Sequence, residues 1–360
     1  MITLQEFIIF FLNLITILVC INYNLYTLSN SYIGLIQAFL LFVLLIIEKK
    51  IKIYFILYIL IIFILAFIGI TVNNGGIGSL IILFNFIAFT YISTYIKISK
   101  NFILFICFEY ILLLFYWFFK GEPNNYNTNT IGLIGMFGFM YGIIFTKVVN
   151  SKIVSYILVP ILFLVTFFLQ KDIAQSRTSL ICVLLFFSLV YFVPKKLLYN
   201  KAIYWTTITI LTLGSLVWTK LYVYLYKINP DMYIDFYVTQ KRFFSGRQLI
   251  WKEMYEVLEK NIFFGVGSSY KMTSFKDLFN MHNSILNFLV VYGVPIFILV
   301  ILLIFYKYKK VFKNKDNEKS FLGLCAMFII FIHSFAEVTL VSSTFLGTLF
   351  TLFILADCKY

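Results

Sequence analysis

Charge is scarce in this chain. Only 12% of its 360 residues are Asp, Glu, Lys or Arg, about half the share of an ordinary soluble domain. Proline occurs five times and histidine twice, and arginine supplies just three of the 29 basic residues: Arg177, Arg242 and Arg247. These shortages, set against 62% hydrophobic residues, exclude a soluble enzyme, a disordered chain and a coiled coil. The five cysteines (Cys20, Cys107, Cys182, Cys325 and Cys358) lie in apolar runs or at their ends, without CxxC spacing. They read as small apolar side chains, so neither a disulfide nor a metal site is expected. What is abundant is apolar length. At ~20 residues per transmembrane helix the supply builds about eleven or twelve spans and leaves no large soluble domain.

Apolar runs near 4–21, 32–47, 53–70, 79–96, 102–119, 131–146, 153–170, 178–193, 202–221, 285–306, 320–337 and 339–356 read as twelve transmembrane helices. The first has neither a basic leader nor a small-residue cleavage site, so it is expected to be a retained span. With the N-terminus placed inside, seventeen of the 29 basic residues fall in inner loops and only Lys120, Lys171 and Arg177 in short outer loops. The other nine lie in one long outer segment, 220–284. Short loops obey the positive-inside rule, from which long loops are exempt. The net charge of +14 is therefore explained by topology rather than by a nucleic-acid partner. The expected architecture is a single all-α polytopic membrane domain over 1–360, with both termini cytoplasmic. All three arginines then fall on the outer side, where the planar guanidinium fork pairs well with phosphate.

Residues 222–284 form the one sizeable extramembrane segment expected, and such a loop is a natural place for function. Tyr222 to Gln240 is rich in tyrosine and reads as irregular or interfacial. Ser245 followed by Gln248 fits a capping box. Over 246–260, Ile250, Trp251, Met254, Val257 and Leu258 make one apolar face. This predicts an amphipathic helix on the outer membrane surface, its N-terminus presenting N–H donors beside Arg247 and Arg242. Gly265-Val266-Gly267 alone signals a turn. His282 begins the next span, which contains Gly293 and Pro295; it is either an interfacial side chain or a proton acceptor. His333 and Glu337 are spaced i,i+4 and should share a helix face, as a bundle-holding pair or as a functional one. Glu109, deep in a span, either lines a cavity or pairs with a polar neighbour.

Gln175-Ser176-Arg177-Thr178, Ser245-Gly246-Arg247 with Trp251, Gly265-Val266-Gly267, His282-Asn283 and Gly293 occur here in that order. The pattern resembles the bacterial O-antigen ligase and Wzy-type polysaccharide polymerase superfamily, and His333-Ser334 with Glu337 resembles its polymerase branch. The likeness covers roughly 170–340. It implies a GT-C-type membrane glycosyltransferase in the bacterial cytoplasmic membrane, with an outer-face site whose catalytic segment is 222–284. Its substrates would be oligosaccharides linked to undecaprenyl pyrophosphate. On this resemblance Arg177 and Arg247 hold the donor pyrophosphate, with Arg242 in support. His282 positions or deprotonates the acceptor hydroxyl, Glu337 binds sugar or orients a partner, and His333 adds to the substrate site. No metal or other cofactor is expected, because a sugar pyrophosphate already carries a good leaving group and positioned cations can stabilise its departure.

The leading expectation is therefore a polymerase making capsule, exopolysaccharide or O-antigen, with inversion at the anomeric carbon and with a flippase and a chain-length co-polymerase as candidate partners. A ligase that delivers finished glycan to another acceptor is the close alternative. A transporter is the distant one, disfavoured because no internal repeat is seen and the charged residues gather at one face. The topology makes a direct prediction. In a background without native cysteines, Lys171→Cys should react with an impermeant maleimide on intact cells, and Lys97→Cys only after permeabilisation.

Overall fold

The computed structural model describes residues 3–48, 51–73, 76–123, 125–230, 243–273, 281–315 and 317–357. Its helices in chain order are α1 (Leu4–Ile21), α2 (Tyr23–Thr27), α3 (Gly34–Glu48), α4 (Ile53–Asn73), α5 (Gly78–Ile92), α6 (Lys100–Lys120), α7 (Thr128–Val149), α8 (Lys152–Phe168), α9 (Arg177–Tyr191) and α10 (Lys195–Leu198). They continue with α11 (Lys201–Thr212), α12 (Gly214–Ile228), α13 (Arg247–Lys260), α14 (Ser284–Phe312), α15 (Glu318–His333) and α16 (Leu346–Ala356). No strand occurs among the described residues. In a hydrocarbon solvent a helix satisfies its backbone polar groups within itself, and the long Leu, Ile and Phe runs form helices for that reason.

Each of the twelve apolar runs contains helix, but their lengths differ from expectation. Among the described residues seven helices are long and apolar enough to cross a membrane, or eight spans when α11 and α12, bent by 49°, are counted as one. The remaining runs give shorter helices, α5, α9, α15 and α16. The outer face of the bundle matches lipid. On α4, Ile53, Leu57, Ile64 and Phe67 are each more than half exposed. The chain is thus a polytopic membrane protein.

The centre of the bundle is α7, the most buried of the spanning helices. Gly132, Gly135, Gly138 and Gly142 run along it, and their packing against α6, α8 and Ser176 leaves no space for a Cβ. Small residues allow such close approach in membranes, where apolar solvent gives little drive for helices to associate. The contact of Gly132 with Ser176 fixes the turn that precedes Arg177.

Two tertiary details bear on the expected loop. Helix α12 runs on to Ile228, so Tyr222 to Ile228 is helical rather than irregular; the stable partner is Tyr222 itself, which packs on Trp251, Phe243 and Phe244. The glycine pair Gly265 and Gly293 turns out to be an interlock. Gly293 breaks α14 at φ 78°, ψ 172°, and a side chain there would strike the Phe263 carbonyl. The freed backbone is satisfied laterally: Val266 and Gly267 N–H donate to Val290 and Val291 carbonyls, and Val294 N–H to that of Ile262, at 2.9–3.0 Å. A membrane-depth break in a helix is tolerated when neighbouring protein supplies such partners.

Away from this region, Lys307 on α14 is fully buried and donates to Asp357 Oδ2 at 2.6 Å, to Ser93 Oγ at 2.8 Å and to the Phe353 carbonyl at 2.8 Å. It locks α14 to α5 and to the end of α16. Glu109 resolves neither of its expected alternatives: its Oε2 has no hydrogen-bond partner among the described residues, and Phe105, Phe108 and Leu112 around it on α6 are exposed. Removing one member of a buried ion pair strands the other. Lys307→Met should therefore destabilise the protein by about 3–5 kcal/mol, read as a lower melting temperature in detergent, and Asp357→Asn added to it should restore part of the loss.

Candidate functional site

One end of the bundle gathers the starts of α7, α9, α13 and α14 and the end of α15 around a cavity of about 590 Å³. Arg177, Arg247 and His282 all line it. They span 105 residues of sequence, from 177 to 282, and the fold brings them to one cavity. Among the described lining residues, these two arginines are the only formal charges. Trp218, Tyr222, Phe243, Ile181, Ile250 and Trp251 make an apolar, aromatic wall.

Both arginines occupy the first position of a helix, Arg177 on α9 and Arg247 on α13. Neither helix is capped by a side chain. The N-cap of α13 is Gly246 in the left-handed region at φ 89°, which corrects the expected Ser245–Gln248 capping box: the backbone turns at glycine, and the Ser245 N–H donates to Tyr222 Oη at 3.3 Å. Two uncapped helix starts carry partial positive charge toward the cavity, and the like charges of the two guanidinium groups repel across it. An anion would relieve both.

Helix α13, expected to lie on the membrane surface, packs on α12 and α14. Its apolar face is covered by protein: Ile250, Trp251 and Met254 are buried, and Trp251 Nε1 donates to the Met281 carbonyl at 2.7 Å. Glu253, outside the apolar stripe, is also buried and accepts from Thr273 N–H at 2.6 Å and Tyr270 Oη at 3.2 Å. The hydrophobic stripe was legible; its partner, the surface of α12 and α14, was not.

The pivot of the site is Glu337. Helix α15 ends at His333, and Glu337 lies in the turn just beyond it, its N–H still donating to the His333 carbonyl at 3.1 Å. Its Oε1 accepts from Arg247 Nη2 at 2.6 Å and from Asn129 Nδ2 at 2.8 Å. Its Oε2 meets His282 Nδ1 at 3.0 Å. Burial pushes this carboxyl up, but the His282 hydrogen bond and the charges of His282, Arg247 and His333 outweigh it and hold the group below its ordinary value. A carboxylate at Nδ1 fixes the proton there and leaves Nε2 as the basic ring nitrogen.

His282 reaches this position through an unusual backbone, φ 46°. Gln175, at the mouth of α9, has φ 47°. Of the three described non-glycine residues with positive φ, these two line the cavity. Such conformations are held only when the surroundings over-determine them, and they are. Asn283 caps α14, accepting from Leu286 N–H at 2.8 Å and donating to Ser215 Oγ and the Phe335 carbonyl. Ser284 Oγ donates to the Glu337 carbonyl at 3.0 Å. The turn before Arg177 is pinned by Gln170, whose Nε2 donates to the Gly132 carbonyl at 2.6 Å.

His333 is brought near but not into the cavity. Its two ring nitrogens meet Ser179 Oγ at 3.1 Å and Thr339 Oγ1 at 2.7 Å, and it is buried. It ties the start of α9 to the turn carrying Glu337, so it supports the site from behind rather than touching what enters it. Arg242 lies outside the described residues, as do 231–242 and 274–280 of the expected loop. Asn129 was not anticipated, although the run Asn125 to Thr130 is unusually rich in Asn and Thr for a span boundary. Among the described residues, no group of three or more His, Cys, Asp or Glu is placed to hold a metal ion.

Residues 173–301 match the family model Wzy_C, described as O-Antigen ligase. The match is consistent with the O-antigen ligase and Wzy superfamily and with a glycosyltransferase-like membrane enzyme of glycan processing. It spans Arg177, Arg247 and His282, and leaves out Asn129, His333 and Glu337. Comparison with curated proteins and with solved structures gives no match.

The direction of the Glu337 shift gives a signed prediction. A depressed carboxyl stabilises the fold above its ordinary value of 4.5 and loses that contribution as pH falls through the lower, folded value. The melting temperature of the wild type should exceed that of Glu337→Gln at neutral pH, and the gap should close on acidification below 4.5. A gap independent of pH would show that the carboxylate charge contributes nothing.

Proposed function

We propose that this protein is a polysaccharide polymerase of the cytoplasmic membrane. It transfers a growing glycan from undecaprenyl pyrophosphate to the next lipid-linked repeat unit. The observation that carries the reading is a single cavity in which two arginine-headed, uncapped helix starts face a histidine held by a carboxylate. In this reading Arg177, Arg247 and the N–H groups of α9 and α13 bind the donor pyrophosphate. His282 Nε2 takes the proton of the acceptor hydroxyl as its oxygen attacks the anomeric carbon. The bond from that carbon to the pyrophosphate oxygen breaks, with inversion, and the leaving charge is met by the arginines. The aromatic wall accommodates sugar and the first part of the lipid. Glu337 acts through His282 and Arg247, as a positioning residue.

The same reading takes all twelve apolar segments as crossing the membrane in a GT-C-type arrangement, with both termini cytoplasmic and the cavity outward. The support is the alternation of lysine along the short loops. Arg242 would add to the donor site, the segment 222–284 would carry the catalytic loop, and the transfer would proceed without a metal. A flippase and a chain-length co-polymerase would act beside it. A second reading stands on the same match, whose family model is described as O-Antigen ligase and covers both branches. A ligase would use the same donor machinery and differ only in the acceptor.

The test is transfer by the purified protein in nanodiscs, given its native lipid-linked repeat unit with EDTA present. The wild type should give a ladder on a gel. Arg247→Ala and His282→Ala, checked for folding, should each reduce the rate about 100-fold or more. A single product on an added acceptor, without a ladder, would favour the ligase. A ladder undiminished in both variants would overturn the site.

A further inference from the structure

Glu337, whose carboxylate meets His282, lines a smaller cavity of about 80 Å³, which shares Asn129 with the large one. A third, of about 290 Å³, opens next to it beside Tyr23 and Lys120. One short stretch of chain serves all three. Asn125 and Tyr126 line the outermost, Asn127, Asn129 and Thr130 the middle one, and Thr128 and Asn129 the large one. From Asn125 to Asn129 the backbone spans at most about 14 Å.

Both cavities present amides and tyrosine rings; the middle one adds hydroxyls and the apolar side chains of Leu133, Val338 and Phe345, and their described lining carries only two formal charges, Glu337 at one end and Lys120 at the other. The rings are set as a cluster: Tyr126 lies 5.1 Å from Tyr26, 5.5 Å from Tyr23 and 5.1 Å from Trp117, between ring centroids. Their orientation is fixed from within, since Tyr126 Oη donates to the Val19 carbonyl at 2.9 Å and Tyr26 Oη shares a hydrogen bond with Thr130 Oγ1 at 3.1 Å. An acyl chain would set the lining amides, such as those of Asn125 and Asn127, against hydrocarbon, and a multiply charged ligand would find too few counter-charges. A chain of neutral sugars fits both: each amide offers donors and an acceptor to neighbouring hydroxyls, and ring faces suit the apolar faces of the sugar.

We infer that residues 125–130, with Tyr23 and Tyr26, form an oligosaccharide track leading away from the reaction centre, which holds several sugars of an uncharged glycan segment at once. The inference rests on the glycosyl-transfer reading for its direction, since the track starts at the carboxylate that positions His282. It adds that affinity grows with glycan length and is set by residues remote from the arginines.

The test uses the full-length protein in nanodiscs and two probes. One is a size series of neutral oligosaccharides released by mild acid from the surface glycan of the producing cells; the other is inorganic pyrophosphate. Saturation-transfer NMR or tryptophan quenching reads binding. Longer fragments should bind the wild type at least tenfold more tightly than the shortest. That gain should vanish in Asn125→Ala and Tyr23→Ala, both at exposed positions, and survive in Tyr23→Phe. Pyrophosphate should bind all of these alike and fail on Arg177→Ala. Length-independent sugar binding, no sugar binding, or a gain unchanged in Asn125→Ala and Tyr23→Ala would each overturn the track. Loss of pyrophosphate binding in the wild type with the length effect intact would overturn the donor reading and leave the track standing.

Discussion

The carboxylate of Glu337 is where three separately folded parts of the chain meet. Arg247 arrives from the head of α13, His282 from the residues before α14, and Asn129 from the first turn of α7. Two of them come from consecutive helices and the third from more than 100 residues earlier, and each brings a polar group that would be stranded at the end of a membrane bundle without the others. A partly buried charge needs hydrogen bonds and counter-charge on every lone pair, and Glu337 has both oxygens engaged. Through it the position of the basic nitrogen of His282 and that of the Arg247 fork are set by one group.

This arrangement relies on the apolar bundle behind it. The glycine row on α7 lets α6, α8 and the turn at Ser176 pack at backbone distance, which brings Arg177 to the same cavity edge as Arg247. The lateral hydrogen bonds between residues 262–267 and the break in α14 hold the segment after α13 against the helix that His282 begins. At the remote end of α14, Lys307 and Asp357 fix the other end of the same helix. The polar site is thus mounted on elements whose placement is decided by close packing and a few buried polar contacts.

Much of this was legible in the sequence. The apolar runs located every long helix, and the scarcity of arginine singled out Arg177 and Arg247, which share one cavity. The failures have physical causes. Pattern alone cannot tell lipid from protein, so the apolar stripe of α13 was assigned to a membrane surface although it packs on α12 and α14. Spacing of i,i+4 placed His333 and Glu337 on one face, but the helix ends at His333 and the two side chains serve different partners. The capping box failed because Gly246 supplies the turn. Asn129 was missed because its role depends on a carboxylate 208 residues away, a pairing no local pattern encodes.

The matched segment 173–301 contains both arginines and the histidine, yet the acid that neutralises one and orients the other is supplied from outside it. The matched segment is consequently not a transplantable module. Grafted alone onto another bundle it would carry a guanidinium without its counter-ion and an imidazole free to rotate. Any working chimera has to bring the first turn of α7 and the turn after α15 along with it, so recombination between such proteins is constrained to exchange non-contiguous pieces together.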